Sequence, residues 1–147
     1  MAYDIAAICE GLAANLATID NLQESAYLLA NPTPPAAEIE PGPVKYDRAM
    51  QRGLDELQFL VRVFVGFTSD IGSQKRLYRM LASTGADSIK AAIESDVTLG
   101  GLVDDTWVRD CTGLKQFVRE VTAGGRGSAQ GPLLGAEWTV QVLVTGA

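Results

Sequence analysis

Apolar and polar positions change their period along this chain, and each change marks an element. From Asp4 to Ile19, the residues Ile5, Ile8, Cys9, Leu12, Leu16 and Ile19 return every three or four positions, which lays them on one helical face with Asp4 placed to cap the start. Gly11 inside that helix costs about 1 kcal/mol relative to alanine; close approach of a neighbouring element is one reading of it, chance tolerance the other. Further on the period drops to two: Leu57, Phe59, Val61, Val63, Val65 and Phe67 point one way, and Gln58, Leu60, Arg62, Phe64 and Gly66 the other. The first face predicts core. The second mixes Leu60 and Phe64 with Gln58 and Arg62, the pattern of a surface covered either by a partner or by the chain's own loops. The same alternation places Trp138, Val140, Val142 and Val144 opposite Glu137, Thr139, Gln141 and Leu143, so residues 133–144 also read as a strand.

Weaker patterns fill the gaps. Residues 24–30 and 36–40 read as short strands near a sheet margin, separated by Pro32, Pro34 and Pro35 and closed by Pro41-Gly42-Pro43, because proline lacks a backbone donor. A loop over residues 44–52 follows. Residues 70–83 predict a helix with Ile71, Leu77, Tyr78 and Leu81 inward, stopped by Gly85. A shorter helix begins at Asp87 or Ser88, buries Ile89, Ala92 and Ile93, and gives way to a turn at Leu99-Gly100-Gly101. Residues 102–111 and 114–122 read as strands paired in a hairpin at Thr112-Gly113, and residues 123–131 as a flexible tract that orders when something binds. Strands flanking a helical middle, with no sustained alternation of strand and helix, predict an α+β domain. Its mixed or mostly antiparallel sheet packs against two or three helices, in a single domain over residues 1–147.

Composition supports a folded chain and removes several functions. At 147 residues, 47% hydrophobic and 20% charged, one domain burying roughly 70% of its unfolded surface is expected. A net charge of −6 argues against gripping nucleic acid, whose phosphates are bound by lysine and arginine. Apolar runs such as residues 59–65 are broken by Arg62 and fall far short of the roughly 20 residues that span a bilayer. Met1-Ala2-Tyr3-Asp4 has no basic start, so no signal peptide is expected and synthesis is read as cytoplasmic. There is no histidine and no Gly-x-Ser-x-Gly elbow, so nucleophilic catalysis lacks its usual base. Cys9 and Cys111 show no metal-binding or redox spacing and read as reduced, buried thiols, with a single disulfide between them left open. Gly124-Gly125-Arg126-Gly127 lacks the Gly-Lys-Ser/Thr ending of a phosphate loop.

Two charged groups remain. Glu94, Asp96, Asp104, Asp105 and Asp110 surround Arg109 in no EF-hand spacing, and a solvated acidic rim is favoured over a calcium or magnesium site. Lys75, Arg76 and Arg79 form a basic cluster that would complement such an acidic turn if copies of the chain packed side by side. Leu60, Arg62, Phe64, Lys75, Arg76, Arg79, Asp104 and Asp105 are therefore the candidate subunit or partner contacts, and no catalytic, metal or cofactor residue is expected.

Six segments together resemble the tail terminator proteins of long-tailed bacteriophages, in the form found in phages of actinobacterial hosts. They are Leu16-Ala17-Thr18-Ile19-Asp20-Asn21-Leu22, Pro34-Pro35-Ala36-Ala37, Tyr46-Asp47 with the strand to Val65, Ser88-Ile89-Lys90-Ala91-Ala92-Ile93-Glu94, Thr98-Leu99-Gly100-Gly101-Leu102-Val103, and Leu134-Gly135-Ala136-Glu137-Trp138-Thr139-Val140. The resemblance covers nearly the whole chain and rests on the order and spacing of these pieces. It implies a virion protein without enzymatic activity that closes into a hexameric ring on the last ring of the tail tube, stops tail growth and meets the head connector. Genomic DNA would then pass through the bore without specific binding. The glycine-rich tract after Ala123 departs from the family pattern. A neck adaptor of the same head-tail junction is the nearest alternative reading. A small ligand-binding or enzymatic α+β domain, with a pocket lined by Trp107 and Trp138, is a more distant one.

Overall fold

A computed structural model describes residues 3–28, 34–47, 53–67, 70–117, 120–123, 126–129 and 133–145. Helix α1 (Ile5–Leu16) is followed by strands β1 (Gln23–Ser25), β2 (Ala36–Lys45) and β3 (Leu54–Phe67), helices α2 (Ile71–Leu81) and α3 (Ile89–Ile93), and strands β4 (Asp105–Cys111), β5 (Lys115–Phe117), β6 (Glu120–Ala123), β7 (Arg126–Ala129) and β8 (Leu133–Thr145). The protein is an α+β domain. Its mixed six-stranded sheet has the order β1-β2-β3-β8-β4, with β5 also on β8, and β6 and β7 form a separate two-stranded ladder. Among the described residues only β1 and β2 run parallel. The β3–β8 ladder is the spine, registered from Leu54↔Thr145 at one end to Phe67↔Leu133 at the other.

One face of this sheet carries the helices. Ile8, Leu12 and Leu16 of α1, Leu77 and Met80 of α2, and Ile89 and Ile93 of α3 share a single core with Phe59, Val61 and Val63 of β3 and Trp138, Val140 and Val142 of β8. Each helix starts as its sequence dictates, with a side-chain oxygen taking an otherwise orphaned backbone N–H. Asp4 accepts from Ala6 N (2.9 Å), Asp70 from Gly72 N (3.1 Å) and Ser88 from Ala91 N (3.2 Å). Asn15, buried in α1, donates from Nδ2 to the Ile93 and Asp96 carbonyls at 2.8 and 3.0 Å, tying α1 to the end of α3. Gly11 is a close approach: an added Cβ would lie 3.1 Å from Leu99 Cβ.

Five expectations are corrected. β1 ends at Ser25, short of the expected strand to residue 30, of which residues 29 and 30 lie outside the described residues. β2 runs through Pro41-Gly42-Pro43 to Lys45: Pro41 still sits opposite Phe59, and a register shift before Val44 leaves Gly42 and Pro43 out of the ladder as a bulge, which shortens the expected loop. α2 is rotated from its expected setting, so Leu77 and Met80 face inward while Ile71 and Tyr78 are 66% and 54% exposed; the helix ends at Leu81, before Gly85. β4 and β5 do not form a hairpin. Both pair antiparallel with β8 as one edge, broken at Thr112-Gly113, where Gly113 adopts φ 79°. The tract expected to be flexible contains the β6–β7 pairing from Glu120↔Ala129 to Ala123↔Arg126.

Candidate functional site

The sheet's other face is free of helices among the described residues, and its rows follow from register. Glu38, Arg62 and Glu137 lie side by side on β2, β3 and β8; one row along are Ala36, Phe64 and Gly135, and on the other side Glu40, Leu60 and Thr139. Arg62 is the hub. Its Nη2 is 2.9 Å from Glu137 Oε2 and 3.4 Å from Glu40 Oε2, its Nη1 is 3.7 Å from Glu38 Oε1, and its Nε donates to Glu137 Oε2 at 3.2 Å. Lys115 Nζ on β5 reaches Glu137 Oε1 at 2.6 Å. The Phe117 ring lies 5.8 Å from the Arg62 guanidinium carbon and 5.7 Å from Lys115 Nζ, and meets Phe64 edge-on at 5.1 Å.

These contacts fix the protonation states. Burial disfavours the charge on Glu137, but hydrogen bonds from Lys115 and Arg62 and their positive charges outweigh it and hold the carboxyl below its ordinary 4.5. Burial likewise works against Arg62, and the Glu137 hydrogen bond with the Glu137, Glu38 and Glu40 charges more than offsets it, so its affinity for the proton rises. A carboxylate held ionised and an arginine held protonated make a clamp between β2, β3, β8 and β5, and a poor acid–base pair near neutral pH.

The candidate contacts therefore separate. Leu60, Arg62 and Phe64 do share this face, but Phe64 is fully buried beneath Phe117 and is removed as a surface contact. Arg62 is held by the chain's own carboxylates. Lys75 and Arg79 are exposed on α2, where Arg79 Nε bonds Asp87 at 3.0 Å, while half-buried Arg76 donates to the Asp20 carbonyl. Asp104 and Asp105 are exposed at the start of β4; Asp104 accepts from the Thr145 hydroxyl.

The two groups sit at opposite ends of the spine. α2 follows the Phe67 end of β3, with Ser73 Oγ donating to the Val65 carbonyl at 3.3 Å. The acidic end holds a cleft of about 380 Å³ bounded by Tyr3, Asp4, Leu102, Asp104 and Val144. There Tyr3 donates to Asp55 at 2.7 Å, and that hydrogen bond, with burial and the Asp55 charge, pushes its phenol up to about 12. Asp96 is occupied by its own turn, accepting from Gly100 N at 2.9 Å and from Thr98, which lowers its pKa. Glu94 is paired with Lys90 at 2.7 Å and accepts from Val108 N at 3.1 Å, so the acidic patch is not one site. Among the described residues no three acidic or cysteine side chains are grouped to hold a metal.

Trp107 and Trp138 do not share a pocket. Trp107 is opposite Gln141, on the helix-free face, and Trp138 points into the core. Cys9 and Cys111 are free thiols, Cys9 buried and Cys111 half-buried. The sequence reading missed Glu38, Glu40, Glu137 and Lys115. Their signal was charge at alternate positions of otherwise apolar strands, as in Ala37-Glu38-Ile39-Glu40. No helix of the described residues is long and apolar enough to cross a membrane. No family model matches the chain, and no curated protein matches it.

Proposed function

We propose that this chain is a structural subunit of a phage virion, forming a hexameric ring on the head-proximal end of the tail tube, where it stops tube growth and joins the tail to the head connector. The observation that carries the reading is the pair of exposed ends: a basic and apolar helix surface at one end of the β3–β8 spine, an acidic and apolar cleft at the other. A ring needs one patch to meet a different patch on the next copy, and surfaces of opposite charge at opposite ends of one rigid sheet suit that demand. The resemblance of the sequence to tail terminators supplies the identity of the cylinder being capped. The partners are then other copies of the chain, the tail tube protein and the connector, with DNA passing through the bore. A net charge of −6 on each copy favours passage without adhesion.

The test is genetic and visual. Particles of a phage deprived of this protein are expected to carry overlong tails in negative stain. Tails of normal length overturn the proposal, and filled heads without attached tails replace it with the neck-adaptor reading. Turnover of a substrate by the purified protein would favour the small-enzyme alternative.

A further inference from the structure

We infer that the exposed stripe of α2 docks in the cleft beside the N-terminus of α1 on a second copy of this chain, with Tyr78 entering the cleft and Lys75 and Arg79 facing Asp4 and Asp104. The contact deepens the ring reading and rests on it for the premise that copies of the chain meet.

The helix supplies a knob and a charge. Ile71, Lys75, Tyr78 and Arg79 fall at i, i+4, i+7 and i+8 on one face, and all four are exposed. Between Ile71 and Leu81 the sequence holds Lys75, Arg76 and Arg79 and no carboxylate. An exposed isoleucine and tyrosine between cations form a surface that water covers poorly. The cleft supplies the hole and the opposite charge. Leu102, 45% exposed, and Val144 give it apolar walls, while Asp4 and Asp104 stand exposed at its rim.

Charge decides who the occupant is. Two α2 stripes facing each other would set Lys75, and Arg79 in so far as Asp87 at 3.0 Å leaves its charge uncompensated, against their own copies, and two clefts would oppose Asp4 and Asp104 to themselves. Both symmetric pairings are repulsive, and only the stripe-to-cleft pairing is attractive, so the same groups that favour the contact exclude its alternatives. The 13 steps of β3 from Leu54 to Phe67 cover roughly 40 Å, with the cleft beside the Leu54 end and α2 starting beyond the Phe67 end, so the two patches are distinct and each copy can give its stripe to one neighbour and its cleft to another. One tyrosine and its neighbours make a small patch, below the roughly 1,000 Å² of a stable pairwise interface, so a single contact is weak and closure of several adds to it.

Two single variants, Tyr78→Cys and Leu102→Cys, each made with Cys111→Ser, test the pairing in concentrated full-length protein under mild oxidation. Disulfide-linked dimer is expected in a mixture of the two and not in either alone. Linked dimer in either single sample, or none in the mixture, overturns the inference. Charge reversal gives an independent reading by sedimentation. Lys75→Glu with Arg79→Glu should raise the concentration needed for association about tenfold or more, Asp104→Lys should raise it in the same direction, and combining all three in one chain should recover most of the loss. Association unchanged by the α2 pair or by Asp104→Lys overturns it too. Linking in vitro combined with normal tails in phage lacking the protein would keep this contact and remove the capping role; overlong tails without linking would do the reverse.

Discussion

Replacing Glu137 by glutamine removes one charge from the helix-free face while keeping the side chain's shape, and its cost follows from the partners. Glu137 accepts from Lys115 at 2.6 Å and twice from Arg62, at 2.9 and 3.2 Å. A hydrogen bond to a charged group contributes about 1.5–3 kcal/mol, but the Lys115 side chain is 51% exposed and its share falls towards the 0–1 kcal/mol of a surface pair. The Arg62 side chain, 19% exposed, keeps Glu38 and Glu40 at 3.7 and 3.4 Å, so its charge is not abandoned. The net loss is about 2–3 kcal/mol near neutral pH, or roughly 4–10 °C in Tm for a chain of this size. The gap should also depend on pH. Because the folded protein holds the Glu137 carboxyl below its ordinary 4.5, the charge contributes fully above that value and its contribution is lost as pH falls through the lower folded-state pKa. Urea unfolding of both proteins followed by circular dichroism from about pH 7 to pH 3 measures this directly. A gap that stays constant across that range, or one below about 0.5 kcal/mol at neutral pH, refutes the clamp.

Other perturbations test the frame around it. Gly135→Ala would push a methyl against the Val63 carbonyl and to 3.0 Å from Phe117 Cε2, forcing β3 and β8 apart; a loss of about 3 kcal/mol or more, or failure to fold, is expected by chemical denaturation. Gly85→Ala meets no atom within 4 Å and strains only a φ of 112°, so it should cost about 1 kcal/mol by the same assay. Asn15→Ala would remove the Nδ2 donor from the buried Ile93 carbonyl, while the Asp96 carbonyl keeps Leu99 N at 3.3 Å, a cost of about 1–3 kcal/mol, measurable by thermal unfolding. Burial, with the Asp4 and Glu10 charges, pushes the Cys9 thiol up to about 11, so a thiol reagent near pH 8 should label half-buried Cys111 first and reach Cys9 only on unfolding.

What could be read from the sequence was what local pattern alone determines. α1 has a cap and an apolar face within one stretch, and the alternation of β3 and β8 shows which side meets the helices, although Phe64, Glu137 and Gln141 on the other side are buried as well. α2 was different: Ile71, Leu77, Tyr78, Met80 and Leu81 offer two overlapping stripes, and contact with the sheet selects the one through Leu77 and Met80. Pro41 and Pro43 argued for the end of a strand, yet Pro41 keeps its place opposite Phe59 and a bulge absorbs Pro43, because β3 goes on offering partners at Leu57 and Glu56. Thr112-Gly113 carried turn chemistry, but β8 is long enough to pair with the segments on both sides of it, so the chain kinks where a hairpin was expected. The ion cluster was invisible for a related reason. Its members come from four strands, each contributing one or two charges that look solvated until register sets Glu38, Arg62 and Glu137 in a row with Glu40 and Lys115 beside it.

That row also bears on where copies of the chain would meet. Buried ion pairs contribute little net stability compared with apolar residues of similar size, so a sheet face needing only stability would be served as well by leucines around Phe64 and Phe117. An apolar face without helices, however, would be a large sticky patch, and under the proposed ring reading a copy has to stay separate until its partner appears. Arg62, satisfied by Glu38, Glu40 and Glu137, closes that face against indiscriminate association while still pinning β5 to the sheet. Exposed apolar residues beside exposed charges are then left at Ile71 and Tyr78 on α2 and around the cleft at Leu102. It follows that a substitution introducing bulk at Leu60, beside the clamp, should leave association between copies unchanged, whereas the same change at Tyr78 should abolish it. The reverse result in a sedimentation assay would move the contact onto the helix-free face.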